Sequence, residues 1–157
     1  MPFSEKLKGK IDEILSKSET NQSALIPVLR EVQNEYGWLS TESMKETAEL
    51  LGVPSSNVQN IATFYTMFFT KPVGKHIIWQ CRTLSCALRG AGQVEHYLSE
   101  KLGIKVGETT PDGSITLLEA ECLASCGTAP VMLVDDELHE NLTKTKVDQI
   151  VQDIKSE

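Results

Sequence analysis

His76-Ile77-Ile78-Trp79-Gln80-Cys81-Arg82-Thr83-Leu84-Ser85-Cys86 is the stretch on which the reading of this chain turns. Its first six residues are apolar and partly β-branched, the signature of a strand, and that strand ends on a cysteine. After the second cysteine, Cys86 to Leu102 reads as a helix, with Leu88, Ala91, Val94 or Glu95, Leu98 and Leu102 in register. The C-x4-C pair therefore marks a strand-to-helix junction. Downstream, Pro111-Asp112-Gly113 signals a turn, and Ser114 to Ala120 alternates as a strand. Cys122-Leu123-Ala124-Ser125-Cys126 follows at once as a C-x3-C pair. Val131 to Val134 reads as a further strand, and the acidic run Asp135-Asp136-Glu137 as a solvated turn. Val147, Ile150, Val151 and Ile154 define a last amphipathic helix. The order β-α-β-β-α predicts a small α/β layer with helices packed on a sheet.

Upstream the texture is helical. Leu7, Ile11 and Ile14 recur at helical spacing, then Leu25, Leu29, Val32 and Tyr36, with Pro27 tolerable only in a first turn and Gly37 as terminator. A third helix is expected from Ser40 or Thr41 to Gly52, with Met44, Ala48 and Leu51 on one face. A fourth follows Pro54, capped by Ser55 or Ser56, with Val58, Ile61, Ala62 and Tyr65 on one stripe and Phe64 and Phe68 on another face. Two apolar faces imply burial, or contact with a partner. Lys71-Pro72-Val73-Gly74 is a turn-forming linker, so the expected organisation is a helical bundle over residues 1–70 and a second domain over 71–157.

The chain has 157 residues, 40% of them hydrophobic and 24% charged, which fits globular material rather than disorder. Its net charge of −7 argues against nucleic acid as a partner. No apolar run approaches the ~20 residues of a membrane span. Lysines interrupt the segment Met1 to Lys8, so no secretory signal peptide is expected. These features predict a soluble cytoplasmic protein without direct membrane insertion. Gly90-x-Gly92 lacks the context of a phosphate loop, and no serine, histidine and acid triad suggests hydrolysis. His76, His96 and His139 are scattered singly.

The four cysteines are Cys81, Cys86, Cys122 and Cys126. In a reducing compartment such a group points to metal ligands or redox groups rather than structural disulfides. Both pairs follow strand ends, so both would lie on loops at one end of a sheet. Structural zinc favours two short C-x2-C knuckles, and thioredoxin-type exchange wants a single C-x2-C; neither is present. A [2Fe-2S] cluster needs four thiolates on a wider frame. Spacing ranks the cluster first, zinc second, and buried or disulfide-linked cysteines third.

At these residues the chain closely resembles a known family, the thioredoxin-like [2Fe-2S] E subunits of bacterial NADH:quinone oxidoreductase, or respiratory complex I. The family pattern Asp-x2-Phe-Ser/Thr-x5-Cys-Leu-Gly-x-Cys-x2-Gly/Ala-Pro is matched here by Asp112-x2-Ile115-Thr116 and Cys122-Leu123-Ala124-Ser125-Cys126-x2-Ala129-Pro130. The departures are Ile115 for Phe and Ala124 for Gly, the second implying that position 124 does not require a positive φ. Gln33 to Leu39, Ala62 to Tyr65, Leu102 to Ile104 and Gly107 to Thr110 also resemble family hallmarks. The resemblance implies an α+β chain, an N-terminal helical bundle followed by a thioredoxin-like domain. It implies one [2Fe-2S] cluster on Cys81, Cys86, Cys122 and Cys126, with no catalytic residues of the chain's own. It further implies docking on a flavoprotein that carries FMN and oxidises NADH, within a peripheral arm on the cytoplasmic side of the inner membrane, from which electrons pass to quinone. The isolated chain is expected not to oxidise NADH. Related subunits serve as diaphorase components of NAD-linked hydrogenases and formate dehydrogenases, and a zinc-stabilised adaptor is the non-catalytic alternative. Arg82 is the only cationic side chain inside either cysteine loop, with Glu119 and Glu121 just before Cys122. A guanidinium aimed at the cluster or its loop would raise the cluster's potential; a solvated one would not.

Overall fold

The apolar stripes of the N-terminal half close on one another in the computed structural model, which describes residues 3–156. The chain forms two units, Met1–Pro72 and Val73–Glu157. The first contains α1 (Glu5–Lys17), α2 (Leu25–Tyr36), α3 (Thr41–Leu51) and α4 (Ser55–Phe64). Ser4 and Ser40 act as N-caps, their hydroxyls accepting from the N–H groups of Leu7 and Ser43 at 3.1 and 3.0 Å. Leu7, Ile11, Leu25, Val28, Leu29, Val32, Leu51 and Val58 are fully buried in one core.

The fourth helix departs from its expected length. It ends at Phe64, so Phe68 lies outside it and is buried in the core, whereas Phe64 is 77% exposed. The reason is a long-range clamp. The Gln33 amide donates to Met67 O at 2.8 Å and accepts from the Phe69 N–H at 2.7 Å, while the Leu39 N–H donates to Phe69 O. These bonds hold residues 67–69 in a non-helical path that turns Phe68 inward. The cap also differs: Pro54 occupies the N-cap position, with no side-chain cap bond from a serine.

The second unit is built on a four-stranded sheet of order β2-β1-β3-β4, from β1 (His76–Cys81), β2 (Ile115–Ala120), β3 (Met132–Val134) and β4 (Glu137–His139). β1 and β2 pair in parallel, Cys81 opposite Ala120; β1–β3 and β3–β4 are antiparallel. Helices α5 (Leu84–Leu88), α6 (Ala91–Leu102) and α7 (Lys144–Ser156) complete it. Ile78, Ile115, Leu117, Met132 and Val134 pack with Val94 and Leu98 of α6 and Val147, Ile150 and Val151 of α7. The register lines up Leu118, Trp79, Leu133 and Leu138 in a cross-strand row on the opposite face. Gly74 enters this unit where a Cβ would meet the Ile115 backbone at 2.8 Å. Only glycine fits that approach.

Two expectations are corrected in this unit. The helix expected from Cys86 to Leu102 is two helices, because Gly90 adopts φ 93°, a left-handed conformation that breaks the ladder. Leu88 consequently leaves the core stripe and is 79% exposed. β4 is a fourth strand, too short at three residues to show alternation in the sequence. The acidic run does make the exposed turn expected of it, at Asp135-Asp136, while Glu137 already belongs to β4 and Asp135 ties the hairpin to β1. Its carboxylate accepts from the Ile77 N–H and from His76 Nδ1, both at 2.8 Å. Among the described residues, no helix is long and apolar enough to cross a membrane.

Candidate metal centre

Cys81 closes β1, and the parallel pairing with β2 brings the second cysteine loop beside it. The Arg82 N–H donates to Ala120 O at 3.0 Å, extending the ladder one residue past Cys81. Cys81 Sγ lies 3.4 Å from Thr83 Oγ1 and 4.0 Å from Glu121 O, the residue before Cys122. Cys86 sits on α5, buried with Cys81 among Ala91, Ala129 and Val131, with Leu123 partly buried against them. Cys122 and Cys126 are exposed, and all four thiols are free of disulfides.

The electrostatics of the buried pair are asymmetric. Burial pushes the Cys81 thiol up, but hydrogen bonds from the Thr83 hydroxyl, the Thr83 and Leu123 backbones and the Cys86 thiol outweigh it and bring it below the usual value. Burial pushes Cys86 up, reinforced by the hydrogen bond with Cys81 and the charges of Cys81 and Cys126. One thiolate is thus easily formed and its neighbours carry the cost of a second negative charge. A bound cation removes that cost, since metal binding requires thiolates and releases their protons.

The C-x3-C loop is held by bonds that sequence reasoning missed. The Ala124 N–H donates to Cys122 Sγ at 3.4 Å. Ala124 does so at φ 58°, which corrects the expectation that this position needs no positive φ. The loop keeps the left-handed turn that glycine makes without strain, and alanine adopts it here at a cost of about 1–2 kcal/mol. Cys126 opens a short 3-10 turn, Cys126–Thr128. Glu140 anchors that turn, accepting from Ser125 Oγ at 2.5 Å and Thr128 Oγ1 at 2.6 Å, bonds that hold its carboxyl below the usual range. Glu140 lies fourteen residues beyond Cys126, and no spacing rule pointed to it.

Arg82 is half exposed. Its guanidinium is paired with Glu121 and Glu119. His76 lies at the start of β1, bonded to Asp135; His96 is exposed beside Glu100; His139 ends β4.

The donor set suits a cluster. Four free thiols lie on the two segments that follow β1 and β2, with the Thr83 hydroxyl 3.4 Å from Cys81 Sγ and the Ala124 N–H donating to Cys122 Sγ. Such hydrogen bonds to sulfur are the levers that stabilise sulfur-bound iron. Among the described residues, no group of three or more His, Cys, Asp or Glu side chains is already gathered closely enough to hold a metal ion.

The family model for thioredoxin-like [2Fe-2S] ferredoxins matches residues 11–155. The chain is 38% identical over 157 residues to the protein called NADH dehydrogenase [ubiquinone] flavoprotein 2, mitochondrial, of Dictyostelium discoideum, covering 98% of this chain and 64% of that protein. It is 39% identical over 154 residues to NADH-quinone oxidoreductase subunit 2 of Thermus thermophilus, covering 96% of this chain and 85% of that one. With an NADH-quinone oxidoreductase subunit of Escherichia coli it shares 37% identity over 134 residues, 85% of this chain and 81% of that one. Among solved structures, a chain of an NAD+-reducing [NiFe]-hydrogenase in the air-oxidized state superposes with TM-score 0.74 at 19% identity. That match spans 84% of this chain and 23% of the hydrogenase chain, and it concerns the fold.

Proposed function

The chain belongs to the thioredoxin-like [2Fe-2S] ferredoxins, and from that premise we propose that it is the electron-transfer subunit of the NADH dehydrogenase module of an NADH:quinone oxidoreductase. Cys81, Cys86, Cys122 and Cys126 would hold one [2Fe-2S] cluster. The observation that carries this reading is the meeting of the two cysteine loops at one end of the β1–β2 pair, with Cys81 Sγ 4.0 Å from Glu121 O. When bound, the cluster supplies one-electron exchange.

The chain's own residues supply the rest. Cys81 and Cys86 provide a buried pair inside an apolar wall, and Cys122 and Cys126 provide an exposed pair on the side open to a partner. The Thr83 hydroxyl and the Ala124 N–H lie within hydrogen-bond reach of sulfur and offset negative charge there. Hydride chemistry belongs to a cofactor, and the sequence carries no dinucleotide fingerprint, so in this reading FMN and NADH are assigned to a partner flavoprotein and the isolated chain is expected not to oxidise NADH. In this reading the protein docks peripherally, on the cytoplasmic side of the membrane, as part of the complex.

The test is metal analysis and EPR of the purified chain and its four single Cys→Ala variants. About two irons and two sulfides per chain, a reduced-state EPR signal, and loss of both in each variant are expected. A colourless, EPR-silent protein holding one zinc identifies the adaptor reading instead. Full cluster occupancy in any one variant removes that cysteine from the ligand set.

A further inference from the structure

Arg82 follows Cys81 directly, and its guanidinium is gripped by the two glutamates that lead into the second cysteine loop. Nε donates to Glu121 Oε1 at 3.1 Å, Nη2 to the same oxygen at 2.5 Å, and Nη1 to Glu119 Oε2 at 3.4 Å. The backbones meet at the same place, since the Arg82 N–H reaches Ala120 O and Cys81 Sγ lies 4.0 Å from Glu121 O. Three charged groups are thus fixed at the junction of the cysteine loops. Glu95 on α6 faces them too, within reach of both Glu119 and Arg82.

As a stabilising device this trio is weak. Arg82 is 51% and Glu121 75% exposed, and exposed ion pairs contribute little to folding. Its placement has a different consequence. Adding an electron to a centre held by four thiolates deepens an already negative charge. Each uncompensated carboxylate nearby opposes that electron, and each cation favours it. Without Arg82, Glu119 and Glu121 would stand as two bare negative charges beside Cys81 and Cys122.

We propose that Arg82 is a potential-setting residue that acts by holding Glu119 and Glu121 as a paired group, so that these carboxylates do not oppose reduction of the cluster. The proposal rests on the assignment of a [2Fe-2S] cluster to the four cysteines, and it adds the regulation of that site's potential. Arg82 is a positioning residue: its guanidinium works through the two glutamates. The electron comes from dithionite in the titration below, and in the proposed complex from a reduced flavin of the partner. No proton or bond is transferred by Arg82 itself.

The test is an EPR-monitored redox titration of the full chain and of Arg82→Gln, Glu121→Gln, Arg82→Lys and Arg82→Gln/Glu121→Gln, with iron and sulfide measured in each. The expected midpoint order follows net charge. Arg82→Gln falls, Glu121→Gln rises, and the double variant returns close to the parent value. Arg82→Lys keeps the charge and stays near the parent. The shifts shrink as salt is raised, because the groups are exposed. An unchanged or raised midpoint in Arg82→Gln overturns the proposal. So do shifts of the same sign in Arg82→Gln and Glu121→Gln, which mark general distortion rather than charge. If Arg82→Gln does not load, Glu121→Gln still decides the sign, since a midpoint that does not rise there overturns the proposal. A parent chain that carries no iron or sulfide refutes the cluster assignment, and this proposal falls with it. Fully loaded variants with midpoints out of charge order refute this proposal alone.

Discussion

Single side chains set the local geometry of this protein, and Asp112 shows how. Its Oδ1 accepts from Thr110 Oγ1 at 2.5 Å, the Ser114 N–H at 2.9 Å and Ser114 Oγ at 2.7 Å, closing the turn before β2. Those bonds, the Thr110 hydroxyl first, lower its pKa from 3.8 to about 2. A depressed carboxylate stabilises the fold only while ionised in the native state. Its contribution is therefore intact above pH about 4 and is lost as pH falls toward 2. Carboxyl-detected NMR titration should place the Asp112 midpoint near 2; a midpoint at the ordinary aspartate value would show the turn to be held without it. The turn itself was legible as Pro111-Asp112-Gly113, but the hydrogen bonds that make Asp112 its anchor were not. The same holds at Ala124, where a substitution for glycine suggested a relaxed backbone and the structure has φ 58°.

Among the elements, α4 is where pattern and packing disagree. Periodicity places Phe64 and Phe68 on one helical face because they are four residues apart. The helix stops at Phe64, and the Gln33 amide draws the following segment into the core, leaving Phe64 77% and Phe68 6% exposed. The two phenylalanines should then respond oppositely to truncation. Phe68→Ala should cost about 3–5 kcal/mol, as for a buried aromatic, while Phe64→Ala should stay within about 0.5 kcal/mol. Denaturant unfolding of both variants checks this, and equal losses would mean that the helix continues through Phe68. The break at Gly90 has the same origin. A glycine inside a helical pattern is compatible with a continuous helix, and only the φ of 93° shows that the chain turns there.

In the whole molecule, each unit closes a core of its own. One cluster of buried residues runs from Phe3 to Phe68, and the others lie between Ile78 and Ile154. The cysteines all belong to the second unit. A ligand bound there stabilises the structure that forms its site. Stripping the cluster with a chelator should therefore lower amide hydrogen-exchange protection in β1, β2 and β3, and leave α2 and α3 unchanged. Parallel loss of protection in both units would show that the cores are energetically coupled.

What the sequence determined by itself was local or periodic. The helix stripes, a helix start at Ser40 or Thr41, the strand His76–Cys81, the turn at Asp112 and the four cysteines all announce themselves within a few residues, because periodicity and spacing act over one or two turns of chain. What the tertiary structure decided acts across long separations. Gln33 reaches Met67, Asp135 reaches His76, Glu140 holds Thr128, and Arg82 meets Glu121 thirty-nine residues away. None of these pairs shares a helix face or a turn. They meet because a parallel strand register and two packed cores bring distant backbone together, and a polar side chain then takes whichever partner lies within about 3 Å.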